Sequence, residues 1–475
     1  MTFSSLVFLC IFLPIVFCLH SIIPSLKVRN ALLIGASLVF YAFGEPIYVF
    51  LMIINALVNY LLALGMNGKN KKLLLILDVV FNIGILGVFK YTGFLVSSLN
   101  DLLGLSIPVP AISLPIGISF FTFQAMSYAI DAYRGNVAIQ RNFAKVLLYI
   151  SFFPQLIAGP IVKYRDIADE IDNRKVEVGE VALGLRRFIA GLGKKVLIAN
   201  TMAVAADSVF NQGAASANIM VAWIGAVAYV MQIYFDFSGY SDMAIGLGRM
   251  FGFHFKENFL HPYGSLNIKE FWRRWHISLS SWFKEYVYIP LGGNRKGPLR
   301  TGINKIIVFF LTGLWHGANW TFVAWGLFHG AFSFLEEFIP AIKKLPKVIG
   351  HIYTMIVVIV GFVIFRADTI AEGVGFIGKM FGGFDFGPQY TSFALQQLTP
   401  FFIVMLIAAI IGCAPIRGLG EKLKAVQERE LKGEEISSKE RTVQILLYAL
   451  AMVVLCWCIL RLSGGSYNPF IYFRF

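Results

Sequence analysis

The sequence predicts an all-α polytopic membrane protein, and three observations support this fold class. Of the 475 residues, 57% are hydrophobic and only 14% are charged, whereas ordinary globular domains carry about 25% charged residues. The mean hydropathy is +0.70. Apolar runs of spanning length, about 17 to 25 residues, recur from one end of the chain to the other. Lipid is therefore expected to surround most of the chain.

The apolar runs divide the chain into successive candidate spans. They lie at 3–23, 29–44, 46–66, 73–94, 111–131, 143–162, 184–208, 217–248, 303–337, 351–366, 398–415 and 443–462. The run at 303–337 is long enough for two helices, which gives about eleven transmembrane helices, with re-entrant or interfacial helices in addition. Neither an internal repeat nor a separate soluble domain is visible, so residues 1–475 are predicted to form a single integral-membrane domain.

Basic residues in the connections orient the spans, because Lys and Arg are retained on the cytoplasmic side. Lys27 and Arg29 follow the first run. The third run is followed by Lys69, Lys71 and Lys72, and the fifth by Arg134, Arg141 and Lys145. The connections 44–46 and 97–110 contain neither Lys nor Arg. Both termini are therefore predicted to lie outside, with the charged stretch 416–442 as a cytoplasmic loop and 463–475 as an extracytoplasmic tail. The net charge of +14 is spread over such short clusters, which suit anionic headgroups, so the lipid bilayer rather than nucleic acid is the expected partner.

Polar, aromatic and charged residues crowd together between about Asp236 and Gly330, in stretches too apolar for a soluble loop. Broken segments of this kind are tolerated at membrane depth only where protein or water surrounds them. Within 271–286, bulky residues recur at helical spacing, which predicts one amphipathic helix that ends at Pro290 and Gly292. On periodicity alone, an interfacial anchor without chemistry stays open.

A second segment, 311–330, is apolar enough to enter the membrane and carries His316 directly after Trp315. An ionisable side chain within a span indicates function, because burying it without purpose is costly. The two residues expected on the same helix face, three and four positions later, are Asn319 and Trp320. His329 falls on another face, so a base or acid at His316 is favoured over a metal site. The competing interpretation is a neutral histidine that ties two helices together by a hydrogen bond.

Five motifs in linear order carry a resemblance to a known family. They are Asp236-Phe-Ser-Gly-Tyr240-Ser-Asp242, Asn258-Phe-Leu-His-Pro-Tyr263, Phe271-Trp-Arg-Arg-Trp-His276, Tyr288-Ile-Pro-Leu-Gly-Gly-Asn294 and Gly313-Leu-Trp-His-Gly317. The chain resembles the membrane-bound O-acyltransferases (MBOAT), in the bacterial branch of alginate and peptidoglycan O-acetyltransferases. The resemblance implies a multi-pass protein of the bacterial cytoplasmic membrane. It also implies a catalytic core at about 114–366, with a funnel from each membrane face.

The resemblance also implies roles for individual residues. His316 corresponds to the catalytic histidine of the family's Leu-Trp-His-Gly motif, and His276 corresponds to a second polar position upstream. A neutral imidazole at His316 is expected to take the hydroxyl proton during acyl transfer. His276, Asn319 or a Trp indole is expected to donate to the oxyanion. The full set of expected substrate contacts is Trp315, Asn319, Trp320, Arg273, Arg274, Ser281, Trp282, Asp236 and Tyr240.

The implied reaction is O-acetylation of an extracytoplasmic cell-envelope polysaccharide. No bound cofactor is expected, and acetyl-CoA or an acyl carrier protein serves as the cytoplasmic donor substrate. An extracytoplasmic SGNH or hydrolase-like acyltransferase is the expected partner protein. Arg273 and Arg274 suit an acidic carrier as well as the phosphates of CoA, so D-alanyl transfer to teichoic acid stays open. A non-enzymatic polysaccharide transporter also stays open, although a transporter has no need for a base at His316.

The C-terminus, Tyr467-Asn-Pro-Phe-Ile-Tyr472-Phe-Arg-Phe475, is rich in aromatic residues. It resembles the terminal Phe-Ile-Tyr motif of this branch and of small partner peptides in D-alanylation systems. One hypothesis is that the tail enters the outer funnel and that the Tyr472 phenol accepts the acyl group. The alternative is an interfacial aromatic anchor.

Overall fold

The structure is a computed structural model that describes residues 1–157, 159–414, 423, 425–427, 429, 434–465 and 467–471, the side chains of Pro340 and Lys343 excepted. Within these ranges the regular elements are helical. In chain order the helices are α1 (Phe8–Ile22), α2 (Leu26–Ala42), α3 (Tyr48–Gly65), α4 (Lys71–Leu103), α5 (Ile118–Arg134), α6 (Phe143–Ser151), α7 (Phe153–Leu156), α8 (Tyr164–Asn173), α9 (Val178–Phe210), α10 (Ile219–Met250), α11 (Ile268–Arg274), α12 (Ile277–Phe283), α13 (Gly297–His316), α14 (Trp320–Phe338), α15 (Lys347–Arg366), α16 (Ile370–Gly382), α17 (Pro388–Gln397), α18 (Pro400–Cys413) and α19 (Ser438–Ser463).

The helix lengths confirm the predicted fold class. Among the described residues, six helices are long and apolar enough to cross a membrane, namely α3, α4, α9, α10, α15 and α19. The pair α17 and α18, bent by 66°, makes a seventh if it is one span. The count of about eleven crossings stays a prediction. Within the expected cytoplasmic loop at 416–442, residues 416–422, 424, 428 and 430–433 lie outside the described residues.

The chain, expected to be one domain, packs as two compact units, and the first comprises 1–188 and 243–256. Within it, a fully buried polar network joins α3 to α4. The Asn55 side chain donates to Asn82 Oδ1 over 2.9 Å, and Asn82 Nδ2 donates to the backbone carbonyl of Asp78 over 2.9 Å. Side-chain hydrogen bonds of this kind hold helices together where lipid gives little hydrophobic drive.

The second unit comprises 189–242 and 257–475 and contains both candidate histidines. Its centre is the antiparallel pair α13 and α14, which approach each other through glycine. A Cβ atom on Gly313 would lie 2.3 Å from the Phe322 carbonyl oxygen, and one on Gly326 would lie 2.3 Å from a backbone oxygen of α13. Small residues at such crossings let helix backbones pack directly. This close contact fixes the end of α13, where His316 lies.

Candidate active site

His316 is the last residue of α13, because the chain turns out of the helix directly after it. Gly317 is extended, and a Cβ atom there would lie 2.1 Å from the ring of Phe322. Asn319 then caps the next helix, since its side chain accepts a hydrogen bond from the backbone N–H of Thr321 over 3.0 Å. His316 therefore lies at a helix end inside the unit, where broken helices commonly place functional groups in membrane proteins.

This helix break overturns one expectation. Asn319 and Trp320 do not share a helix face with His316, because α13 ends before them. The Asn319 amide donates to the backbone carbonyl of Asp368 over 3.1 Å, while its side-chain oxygen caps the start of α14. Trp320 is 53% exposed. Their expected substrate contacts stay predictions, but neither residue is brought to His316 by a shared helix face.

Aromatic rings surround the His316 imidazole, which is only 8% exposed. The ring centroids of Trp315, Trp325 and Phe365 lie 5.0, 5.2 and 5.3 Å from its own, and all three rings stand nearly perpendicular to it. Such a box excludes bulk water and lowers the local dielectric, which strengthens every electrostatic interaction made inside it. The packed rings also restrict rotation of the imidazole, so its nitrogens have a defined direction.

His276 lies in a strained backbone conformation between two short helices. Its φ and ψ are 45° and 54°, in the left-handed region that residues other than glycine rarely adopt. α11 ends before it and α12 begins after it, so the single amphipathic helix predicted across 271–286 is wrong. The backbone N–H of Ile277 donates to the Asn258 carbonyl over 2.9 Å and holds the turn. Strain of this kind concentrates at functional sites.

The Asn258 side chain determines which His276 nitrogen carries hydrogen. Its Oδ1 accepts from the backbone N–H and hydroxyl of Ser278 over 3.1 and 2.9 Å, and its Nδ2 donates to the Ser241 hydroxyl over 3.0 Å. A hydrogen bond from His276 to Oδ1, 3.3 Å away, requires hydrogen on Nδ1, because Oδ1 only accepts. The neutral imidazole then presents its Nε2 lone pair, and within the described residues this buried atom has no hydrogen-bond partner. Donation to an oxyanion from Nε2 requires the imidazolium.

The rings of His276 and His316 lie close together, and His316 lines a small cavity. Their ring centroids are 6.4 Å apart, and Phe237 packs edge-on against His276 at 4.6 Å. The cavity is lined by Ile233, Phe237, Trp275, His316, Trp325, Phe362, Phe365 and Ile471. Its volume is about 10 Å³, which is room for about one water molecule. A larger group can therefore reach His316 only if part of the lining moves.

The C-terminal tail supplies part of that lining. Ile471 reaches the cavity, and its backbone N–H donates to Asp236 Oδ2 over 2.8 Å. Phe470 stacks on Tyr240 with ring centroids 4.5 Å apart. Asp236 and Tyr240 were expected to contact substrate, and in the structure they hold the tail. Tyr472, the expected acyl carrier, lies outside the described residues.

The remaining predicted substrate residues are spread over α11 and α12. Arg273 is exposed, and Arg274 forms an ion pair with Glu270 one turn earlier. The Ser281 hydroxyl donates to a backbone carbonyl of α12 over 2.8 Å, and the Trp282 ring is buried. The roles of these four side chains stay predictions.

Three important residues were missed by sequence reasoning. Asn258 belongs to a quoted motif but was given no role. Lys195 pairs with Asp236 at 2.7 Å, with both side chains at most 2% exposed. Opposite charges in two separate apolar runs were a usable signal, because buried charges in membranes must be paired. For Ile471, a plain aliphatic side chain, the sequence offers no comparable signal.

Comparison with known proteins gives a consistent family assignment. The model of the membrane-bound O-acyltransferase family matches residues 120–368, which include His276 and His316. The chain is 40% identical to the probable alginate O-acetylase AlgI of Pseudomonas putida over the full length of both chains. It is 38% identical to the peptidoglycan O-acetyltransferase of Helicobacter pylori over 80% of each chain. It is also 30% identical to the teichoic acid D-alanyltransferase of Bacillus subtilis, over 53% of this chain and 68% of that protein.

Proposed function

This chain belongs to the membrane-bound O-acyltransferase family, and from that premise we propose that it carries acetyl groups across the cytoplasmic membrane to an extracytoplasmic polysaccharide. It is a multi-pass membrane O-acetyltransferase. The single observation that carries the proposal is the buried His316 imidazole, which faces an interior cavity that also receives the C-terminal tail. Membership of an enzyme family decides against the polysaccharide transporter that the sequence left open.

The identities favour an acetylated glycan as the acceptor. Alignment with an alginate O-acetylase covers both chains completely, and alignment with a peptidoglycan O-acetyltransferase covers 80% of each. The D-alanyltransferase match is weaker and covers 53% of this chain. We therefore propose alginate, peptidoglycan or a similar envelope polymer as the acceptor, with acetyl-CoA as the donor. D-alanyl transfer from a carrier protein is the second candidate.

In the proposed first step, the His316 imidazole accepts the proton of an acceptor hydroxyl, and the oxygen of that hydroxyl attacks the thioester carbonyl. The new C–O bond forms, the C–S bond breaks, and the proton passes from the imidazolium to the departing thiolate, which leaves as free CoA. General base assistance contributes roughly 10² to 10⁴-fold to such a reaction. The apolar ring box around His316 keeps water from competing for the acyl group.

His276 assists this step through its Nε2 atom in our proposal. With Nδ1–H directed at Asn258, the neutral ring accepts a hydrogen bond at Nε2. There it orients an N–H or O–H group of the bound substrate, and the proton transfer stays with His316. The strained backbone at His276 and the four-bond Asn258 network keep the ring in this direction.

The acceptor hydroxyl proposed for the first step is the phenol of Tyr472, the residue that directly follows Ile471. In the second step a polymer hydroxyl attacks the phenyl acetate, its proton returns to the phenolate, and the acetyl group moves to the polymer. An extracytoplasmic SGNH or hydrolase-like acyltransferase is the proposed catalyst of that step. This places the tail outside and the basic connections on the cytoplasmic side.

Proteoliposomes test the proposed direction and donor. The purified full chain is reconstituted, and labelled acetyl-CoA is supplied to the face that carries Lys69, Lys71 and Lys72 or to the opposite face. We expect acetyl to appear on the protein only in the first case. Equal labelling from either face contradicts the proposed direction. D-alanyl carrier protein is the competing donor, and labelling by it alone selects the second candidate.

The shuttle role of Tyr472 is tested by Tyr472→Phe, which keeps the ring and removes only the phenolic oxygen. We expect loss of polymer acetylation and of label on the C-terminal peptide, while thermal unfolding stays unchanged. Tyr467→Phe is the comparison variant, because it removes another phenol of the tail together with its hydrogen bond to Asp207 and so reports the effect of weaker tail anchoring alone. Undiminished polymer acetylation in Tyr472→Phe eliminates the shuttle and leaves the anchoring role.

A further inference from the structure

We infer that Lys195 and Asp236 are positioning residues that hold the C-terminal tail in the cavity beside His316. The two side chains form a buried clasp, joined at 2.7 Å between Lys195 Nζ and Asp236 Oδ1. Each is 1% exposed. The functional role of the clasp rests on the proposed acetyl transfer to Tyr472. Whether the clasp holds the tail is tested separately, by protease trimming.

The clasp binds the backbone of the tail on both sides of Phe470. Asp236 Oδ2 accepts the N–H of Ile471 over 2.8 Å, and Lys195 Nζ donates to the carbonyl of Pro469. Irregular backbone at membrane depth must find protein partners, because lipid offers none. Lys195 donates to a backbone carbonyl of the tail, and Asp236 accepts from a backbone N–H of the tail. The two side chains therefore bind the tail backbone while they also form an ion pair with each other.

Further contacts lead the tail inward along α9. The Tyr467 hydroxyl donates to Asp207 Oδ2 over 2.8 Å, near the end of that helix, and Asn200 Nδ2 donates to Asn468 Oδ1 over 3.0 Å. Asp207 and Lys195 are separated by twelve residues of α9, which is about 18 Å along a helix axis. Successive tail residues thus meet successively deeper positions of one helix, and the clasp is the deepest.

The Phe470 ring adds an apolar and a cationic contact at the same depth. It stacks on Tyr240, and Lys195 Nζ lies 6.0 Å from its centroid. The next residue, Ile471, then lines the His316 cavity. With the clasp closed, Ile471 occupies part of the cavity beside His316. Opening of the clasp is therefore coupled to departure of the tail from that cavity.

A double substitution separates the clasp from a purely structural ion pair. Removing one partner leaves a buried unpaired charge, whereas replacing both with apolar residues of similar size is often tolerated. Lys195→Met with Asp236→Leu therefore keeps the contact between α9 and α10 and removes both tail bonds. Lys305→Met with Glu337→Leu is the matched control, because this ion pair, joined at 2.7 Å, links α13 to α14.

Carboxypeptidase trimming of the full chain, followed by intact mass measurement, reports tail release. Loss of two charge-assisted hydrogen bonds is expected to speed removal of Phe470 and Ile471 by about tenfold or more in the double variant. The control, Lys305→Met with Glu337→Leu, is expected to match wild type. Unchanged trimming in Lys195→Met with Asp236→Leu, or equal acceleration in the control, overturns the inference.

A variant on the tail side guards against misfolding of the double variant. Phe470→Ala changes a residue near the chain end and leaves the helices intact, and it is also expected to be trimmed faster than wild type. Protection equal to wild type in Phe470→Ala overturns the inference independently. Failure of the proposed function is recognised differently, by wild-type protein whose Tyr472 never takes acetyl label although its tail is protected.

Discussion

Asn258 offers a direct test of how His276 is held. In Asn258→Ala, the backbone N–H of Ser278 and the Nδ1–H of His276 lose their acceptor, and both residues are at least 91% buried. Each unsatisfied buried donor costs about 1 to 3 kcal/mol, so the unfolding free energy should fall by about 2 to 6 kcal/mol. The His276 ring also loses its direction, and a displacement of about 1 Å at a reacting group costs about 100-fold in rate.

The assay measures kcat/KM for acetyl transfer per folded molecule, with thermal unfolding followed on the same preparations. Asn304→Ala is the matched control, because Asn304 is fully buried and donates to the backbone carbonyl of Gly293 over 2.9 Å. The control should lose stability and keep its kcat/KM within about twofold. If Asn258→Ala were destabilised while keeping wild-type kcat/KM, the assigned orientation of His276 would be refuted.

Two further predictions concern packing and pH. Gly313→Ala places a methyl group 2.3 Å from a backbone oxygen that cannot move aside, so it should lower the unfolding free energy by about 1 to 3 kcal/mol and reduce acetyl transfer. Gly35→Ala, with no atom within 4 Å of the new methyl group, should be neutral or stabilising, and equal thermal unfolding of the two variants contradicts the close crossing. His254 lies outside the spans, and its hydrogen bond to Glu170 over 2.8 Å, together with the charges of Glu170 and Glu180, raises its pKa above 6.5. Because the folded pKa exceeds the unfolded one, this stabilisation is complete below the unfolded value and disappears as pH rises through the folded value. Wild type should therefore unfold at a higher temperature than His254→Gln at about pH 6 and at the same temperature at about pH 9, and an equal difference at both contradicts the ion pairing.

The fold class could be predicted from the sequence because apolar runs and charged residues report directly on lipid exposure. The long helices α9, α10 and α19 follow the predicted runs closely, since each run has spanning length and clear ends. The motif around His316 was also found, because a histidine within an apolar segment stands out. These signals are local, so one chain is enough to read them.

The failures arise where backbone conformation departs from periodicity. Bulky residues continue at helical spacing through Trp275 and His276, yet the chain adopts a left-handed turn there, held by Asn258 from a distant segment. Likewise, nothing local announces that α13 ends at His316, because the Gly317 site is shaped by the Phe322 ring. Both breaks depend on tertiary packing, which periodicity does not report.

The clasp shows the same limit for charges. Lys195 and Asp236 lie in different predicted spans, and their pairing depends on how α9 and α10 cross. Each charge alone predicts a partner within the membrane. The identity of that partner, and its use in holding the tail, follows only from the folded unit.

Single-turnover labelling of the His316→Gln variant tests the central claim most directly. Glutamine keeps approximate size and hydrogen bonding but takes no proton, so rapid mixing with labelled acetyl-CoA should give acetyl transfer slowed by at least about 100-fold, with thermal unfolding near that of wild type. Transfer at the wild-type rate in a folded His316→Gln protein would contradict the assignment of His316 as the proton-accepting group.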